Sequence, residues 1–181
     1  MRMHSEFIKL RSLLVSRQTD FNSRRGGEPA GLPLTEWSDA EGSASISDEM
    51  TERVEDPSEK ALLGKYHLAN QRGKGACRMV PILIPVDMLT ALKFLVKVRP
   101  KCAMDSANPY LFLTTKSIDG HVDGWHSVRA TCMRAGVSHP DKLTATKMRP
   151  FSVYIAVGFS CSLFCSPLFL YVFNVYLNFV F

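Results

Sequence analysis

The sequence predicts an α+β domain, mainly helical, with a small β-hairpin and an apolar C-terminal tail. Three observations carry that fold class. Apolar residues recur at helical spacing in three stretches, 5–18, 88–96 and 125–135. Two segments rich in aliphatic residues flank Gly73-Lys74-Gly75, which is the pattern of a hairpin. Every charged residue falls between Arg2 and Arg149, so 151–181 contains no Asp, Glu, Lys, Arg or His.

The chain has 181 residues, of which 46% are hydrophobic and 22% charged. That is enough for one domain with a buried core, and it excludes wholesale disorder and collagen-like repeats. No internal repeat is visible. The organisation expected is a body over 1–150, interrupted by an acidic loop over 38–60, followed by a separate tail over 151–181.

Phe7, Ile8, Leu10, Leu13, Leu14 and Val15 predict a first amphipathic helix, with Arg2, Lys9, Arg11 and Arg17 on a basic outer side. The start of the chain has no uninterrupted apolar run and carries Glu6, Lys9 and Arg11, unlike a secretory signal. Gly26-Gly27 breaks the helix, and a short second one starts at Glu28, with Leu32, Leu34 and Trp37 packing from it or its exit. From Ser38 to Glu59 the residues are mostly Ser, Asp, Glu, Gly and Thr, which reads as a solvated loop, weakly helical at best.

Tyr66–Asn70 and Cys77–Ile84 predict two strands, with Lys74 at the hairpin tip. Asp87 is placed to cap a helix whose apolar face is Met88, Leu89, Leu92, Leu95 and Val96, and Pro100 ends it. Tyr110–Leu113 is a short buried strand or extended segment. Trp125–Ala135 is a helix with Arg129 and Arg134 on its polar side and Gly136 just past its end. Ser138–Lys142 is a turn, and Leu143–Arg149 begins a helix or its approach.

Five cysteines, an odd number at wide spacing, predict reduced structural thiols rather than disulfides. No paired Cys or His at ligand spacing predicts a metal site. His121 and His126 read as surface or structural histidines, and the acidic run Asp48–Glu59 as solvent-exposed loop. Gly73-Lys74-Gly75 lacks the spacing of a Walker-type phosphate loop.

Three basic motifs stand in a telling order. Arg25-Gly-Gly-Glu28 precedes Leu32 and Trp37; Gly73-Lys74-Gly75-Ala-Cys-Arg78-Met-Val80-Pro81 spans the hairpin; Leu143-Thr-Ala-Thr146-Lys147-Met148-Arg149 closes the body. Over roughly Phe7 to Arg149 the chain resembles the tyrosine recombinases and phage integrases, and most closely their transposon-derived group in animal genomes. The resemblance implies a partial recombinase catalytic domain with Arg25, Lys74 and Arg149 as catalytic residues. The two guanidiniums would clamp the non-bridging oxygens of a pentavalent phosphorane, and the lysine would protonate the leaving 5′-oxygen. Glu28 would support the first arginine. Arg24, Arg25, Arg72, Lys74, Arg78, Lys147 and Arg149 would contact the DNA backbone.

The chain also departs from that pattern. Thr146 stands where the family has a histidine, Pro150 follows Arg149, and no Gly-His box is present. Tyr154, Tyr171 and Tyr176 sit in apolar surroundings that suit no nucleophile. The resemblance therefore implies a domain cut short before its tyrosine nucleophile, which binds DNA weakly and salt-sensitively without cutting it. Neither a cofactor, a metal nor a small-molecule substrate is implied.

The tail, from Phe151 through Leu168 to Phe181, is long enough to cross a bilayer. Lys142, Lys147 and Arg149 just before it would hold the body on the cytoplasmic side. The alternative reading is thus a tail-anchored, single-pass membrane protein with a cytosolic interaction domain. Against it, Ser, Pro and Asn interrupt the run, and its residue types suit translation of T-rich DNA past an exon boundary, which is the preferred origin. The location expected is nuclear or cytoplasmic if the tail is incidental, and membrane if it inserts.

Overall fold

The computed structural model describes residues 2–22, 27–42, 52–53, 55, 57, 65–73, 79–102, 107–142, 144 and 146. The architecture is α+β and mainly helical, with a two-stranded antiparallel sheet. Helix α1 spans Arg2–Asn22, α2 Gly27–Ala30 and α3 Leu34–Gly42. Strands β1 (Tyr66–Arg72) and β2 (Met79–Pro85) follow, then α4 (Leu89–Val98) and α5 (Gly124–Arg134).

The first helix has no glycine or proline from Arg2 to Asn22 and runs unbroken. It is central rather than peripheral. Phe7, Leu10, Leu14 and Val15 join the core formed by Leu32, Trp37, Ile82, Ile84, Met88, Leu92, Leu95 and Phe112. Ser16, Gln18 and Thr19 are buried as well. The expected basic outer side is corrected at Arg11, which is only 7% exposed and donates from Nη1 to the Leu113 carbonyl at 2.7 Å. Burial lowers the pKa of that guanidinium. Gln18 Nε2 donates to the Leu83 carbonyl at 2.9 Å, so polar side chains of α1 serve backbone groups of distant segments.

The hairpin pairs Tyr66 with Pro85 through to Arg72 with Met79. Both strands differ by a residue or two from the expected bounds. Ala69, Ile82 and Ile84 face the core, while Leu68, Asn70, Arg72, Met79, Pro81 and Leu83 are exposed, as the period of two requires. The expected tip residue, Lys74, lies outside the described residues.

Two sequence expectations fail for identifiable reasons. The acidic loop over 38–60 does not begin at Ser38, because α3 continues to Gly42. Trp37 and Ala40 anchor it against the core, and Lys93 pairs with Glu41 at 3.2 Å. Asp87 does not cap α4, since the chain enters α4 through a 3₁₀ turn at Val86–Met88 with no side-chain cap. Asp87 pairs instead with Arg17 of α1.

Pro100 sits inside a 3₁₀ turn, Arg99–Cys102, that continues from α4. The buried Arg99 then donates to the carbonyls of Asn108 and Tyr110. This fixes the 110–113 segment, which bridges Pro33 at Tyr110 and His121 at Leu113. Helix α5 starts where Asp123 accepts the His126 N–H at 2.6 Å. It ends in a Schellman motif: Val137 N–H to Cys132 carbonyl at 3.0 Å, and Gly136 N–H to Met133 carbonyl at 3.2 Å. Gly136 takes the left-handed conformation this needs, at φ 70°.

Helix α5 packs on α1 through a polar seam. Ser16 Oγ and Thr131 Oγ1 lie 3.0 Å apart, and Arg134 reaches Ser12 Oγ at 3.1 Å and Thr131 Oγ1 at 3.2 Å. Asp20 belongs to this seam. Burial pushes its carboxyl up to about 6, against the opposing pull of Arg17. The thiol of Cys132 is raised by burial and by Asp20.

A carboxyl with a raised folded-state pKa stabilises the fold fully below its unfolded value. That contribution is lost as pH rises from near 4 through about 6. Urea denaturation at pH 4.5 and pH 8 is therefore expected to show Asp20→Asn gaining on the wild type at pH 8, by roughly 2–3 kcal/mol at about 1.4 kcal/mol per pKa unit. Equal effects at the two pH values would contradict a buried, titrating Asp20.

Candidate nucleic-acid interface

The candidate site consists of three basic motifs. Of its residues, Arg24, Arg25, Lys74, Arg78, Lys147 and Arg149 lie outside the described residues, as do Phe151, Leu168 and Phe181 of the tail. Arg72 is described: it is exposed at the end of β1, opposite Met79. Thr146 is exposed. Glu28 is half-buried in the first turn of α2.

The structure does bring the flanks of the first two motifs together. Gln71, next to Arg72 on β1, donates from Nε2 to the carbonyl of Gly31 at 2.9 Å. Gly31 follows α2, the turn that leaves the Arg25 motif. It is buried, and a Cβ there would stand 2.7 Å from the Gly27 carbonyl oxygen, 3.0 Å from Gln71 Nε2 and 3.1 Å from His121 Nε2. Only the absence of a side chain lets the turn, the strand and the His121 loop meet at one point.

His121 has a larger structural part than its sequence context suggests. Its Nδ1 lies 2.8 Å from the Val122 carbonyl, its ring stands edge-on to Tyr110 at 5.1 Å and 71°, and its backbone bridges Leu113. The Gly120 carbonyl just before it accepts from Asn108 Nδ2 at 2.9 Å and from Thr114 N–H at 2.9 Å. No sequence signal marks this arrangement, because Gly31 and Gln71, which meet at the same point, come from distant parts of the chain. Among the described residues, Gln71 Oε1 is buried without a hydrogen-bond partner. His126 is exposed on α5.

The cations divide into two groups. Arg11, Arg99 and Arg134 bond carbonyls or hydroxyls of the body, and Lys9, Arg17 and Lys93 pair with Glu6, Asp87 and Glu41. Arg53, Lys65, Arg72, Lys97, Lys101, Lys116, Arg129 and Lys142 are exposed and form no ion pair among the described residues. The described residues contain no group of three His, Cys, Asp or Glu able to hold a metal ion. Cys102 is buried and Cys132 partly buried, both as free thiols.

The close approach at Gly31 predicts that Gly31→Ala lowers the unfolding free energy by about 1–3 kcal/mol, the usual cost of overpacking. Gly42→Ala, where an added Cβ meets nothing within 4 Å, should cost nothing in the same urea titration. Comparison with protein-family models, with curated proteins and with solved structures finds no match for this chain, so the family resemblance rests on the quoted residues alone.

Proposed function

We propose that this chain binds the DNA sugar–phosphate backbone as an incomplete, transposon-derived recombinase-like domain that does not itself cut DNA. Arg25, Lys74 and Arg149 take the positions of the catalytic cations, and Arg24, Arg72, Arg78 and Lys147 add backbone contacts. The observation that supports this reading best is the junction at Gly31. Gln71, three residues before Lys74, is hydrogen-bonded to Gly31, six residues after Arg25, so residues that flank two of the basic motifs are in contact. Guanidinium and ammonium groups attract phosphates of any sequence, by charge and by donor geometry. None of the family-matching positions carries a tyrosine, so the chemistry left to these residues is binding.

Fluorescence anisotropy with a labelled 20-base-pair duplex tests this on the full chain. Affinity is expected to fall steeply with salt and to show little sequence preference. Arg25→Ala with Lys74→Ala should shallow the slope of log K against log salt by about two, one for each phosphate that is no longer neutralised. A double variant that binds as the wild type does would remove these residues from the site.

The uncharged stretch 151–181 favours a second reading, a tail-anchored membrane protein whose body is an interaction domain. No helix among the described residues is long and apolar enough to cross a membrane, and 151–181 lies outside them. Alkaline carbonate extraction of membranes separates the readings. Retention in the pellet supports an integral anchor, and release to the supernatant removes it.

A further inference from the structure

The two edges of the hairpin are treated differently. Val86 N–H bonds the Lys65 carbonyl at 3.0 Å, which makes that pair a hydrogen-bonded one. By alternation, Tyr66–Pro85, Leu68–Leu83, Asn70–Pro81 and Arg72–Met79 point their backbone groups outward. On β2 that outward edge is closed. Pro81 and Pro85 have no N–H to offer, and between them the Asn22 side chain binds Leu83 as a neighbouring strand would. Its Oδ1 accepts the Leu83 N–H at 3.0 Å and its Nδ2 donates to the Leu83 carbonyl at 3.0 Å. Proline and a side-chain plug are standard protections against strand pairing.

From Leu68 to Arg72 the outward edge of β1 has neither among the described residues. Among the described residues nothing bonds the outward N–H or C=O of Leu68, Asn70 or Arg72, and all three residues are exposed. The surface beside that edge is apolar at one end, where Leu68 is 42% and its partner Leu83 41% exposed, and it carries the cation of Arg72 at the other. A phosphate can reach the Arg72 side chain from outside, but the outward backbone groups of Leu68 and Asn70, beside the exposed leucines, suit only an extended strand.

We propose that the β1 edge is a docking strand for an extended acidic peptide, which adds to the sheet antiparallel to β1. Its backbone would bond Leu68, Asn70 and Arg72 in turn. Its side chains would place a carboxylate opposite Arg72, a polar residue opposite Asn70 two positions later, and an aliphatic residue opposite Leu68 two positions after that. The recognised pattern is therefore Glu/Asp-x-polar-x-aliphatic. A second copy of this chain fits less well, because pairing centred on Asn70 sets Arg72 against a leucine instead of an acid.

The test uses the full chain and a blocked peptide, Thr-Glu-Val-Thr-Val-Val-Thr, read by hydrogen–deuterium exchange and fluorescence anisotropy. In the free protein the amides of Leu68, Asn70 and Arg72 should exchange fast; protection there before any addition would overturn the proposal. Peptide at millimolar concentration should slow all three. Replacing its glutamate by lysine should weaken binding about tenfold, as opposite and like cross-strand charges differ. Arg72→Glu should reverse that preference without unfolding the exposed strand end. Binding indifferent to both changes, no binding at all, or protection of the Leu68 and Asn70 amides by duplex DNA in place of peptide would each overturn it.

Discussion

A helix buried on nearly every side needs partners for its polar residues elsewhere in the chain, and α1 finds the main ones in the backbone of other elements, although among the described residues Gln18 Oε1 and Thr19 Oγ1 are buried without one. Arg11 holds the Leu113 carbonyl, and Gln18 and Asn22 hold Leu83. Leaving a buried guanidinium or amide unpaired would cost far more than the bond itself contributes. These contacts therefore act as locators: they allow one placement of the 110–113 segment and one placement of the hairpin relative to α1. The apolar residues of α1 then supply the burial, and the polar ones supply the register.

The same requirement explains which features are legible in the sequence. The hairpin, α4 and α5 are visible because their signals are local: alternation about Gly73-Lys74-Gly75, a leucine stripe, and Gly136 past a helix end. Arg11 is misleading because a charged residue on an otherwise apolar helix reads as solvent-facing unless its carbonyl partner, 102 residues away, is known. Asp87 looks like a cap by position, but an arginine from α1 claims it. The early part of the acidic stretch is helix because Trp37 and Ala40 bury themselves, and two apolar residues among serines and acids give a weak periodic signal. His121 and Gly31 are illegible for the same reason as Arg11, since the meeting of three distant segments leaves no mark in any one of them.

How the cations are used bears on the proposed DNA contact. A formal charge of +5 suggests a basic surface, yet several arginines are committed inside the body or to carboxylates. Their donors satisfy carbonyls or carboxylates of the body, so these side chains are not available to contact a phosphate. Direct contact with a polyanion must then come from the exposed cations. The polar seam between α1 and α5 is a second cost of burying charge. It holds Asp20 in surroundings that disfavour its ionised form, so the junction of two helices carries a strain that depends on the acidity of the solution.

The pairing of Asn22 with Leu83 makes α1 a measuring rod. Asn22 is the last residue of the helix, and its amide must reach the edge of β2 while Arg11, half the helix away, reaches Leu113. Each helical residue advances the chain by about 1.5 Å and turns it by roughly 100°. Inserting or deleting one residue between positions 11 and 22 would swing one of the two side chains away from its carbonyl. The helix can therefore change its residues far more easily than its length, and sequences that share this architecture should vary in composition along α1 while keeping that interval free of gaps.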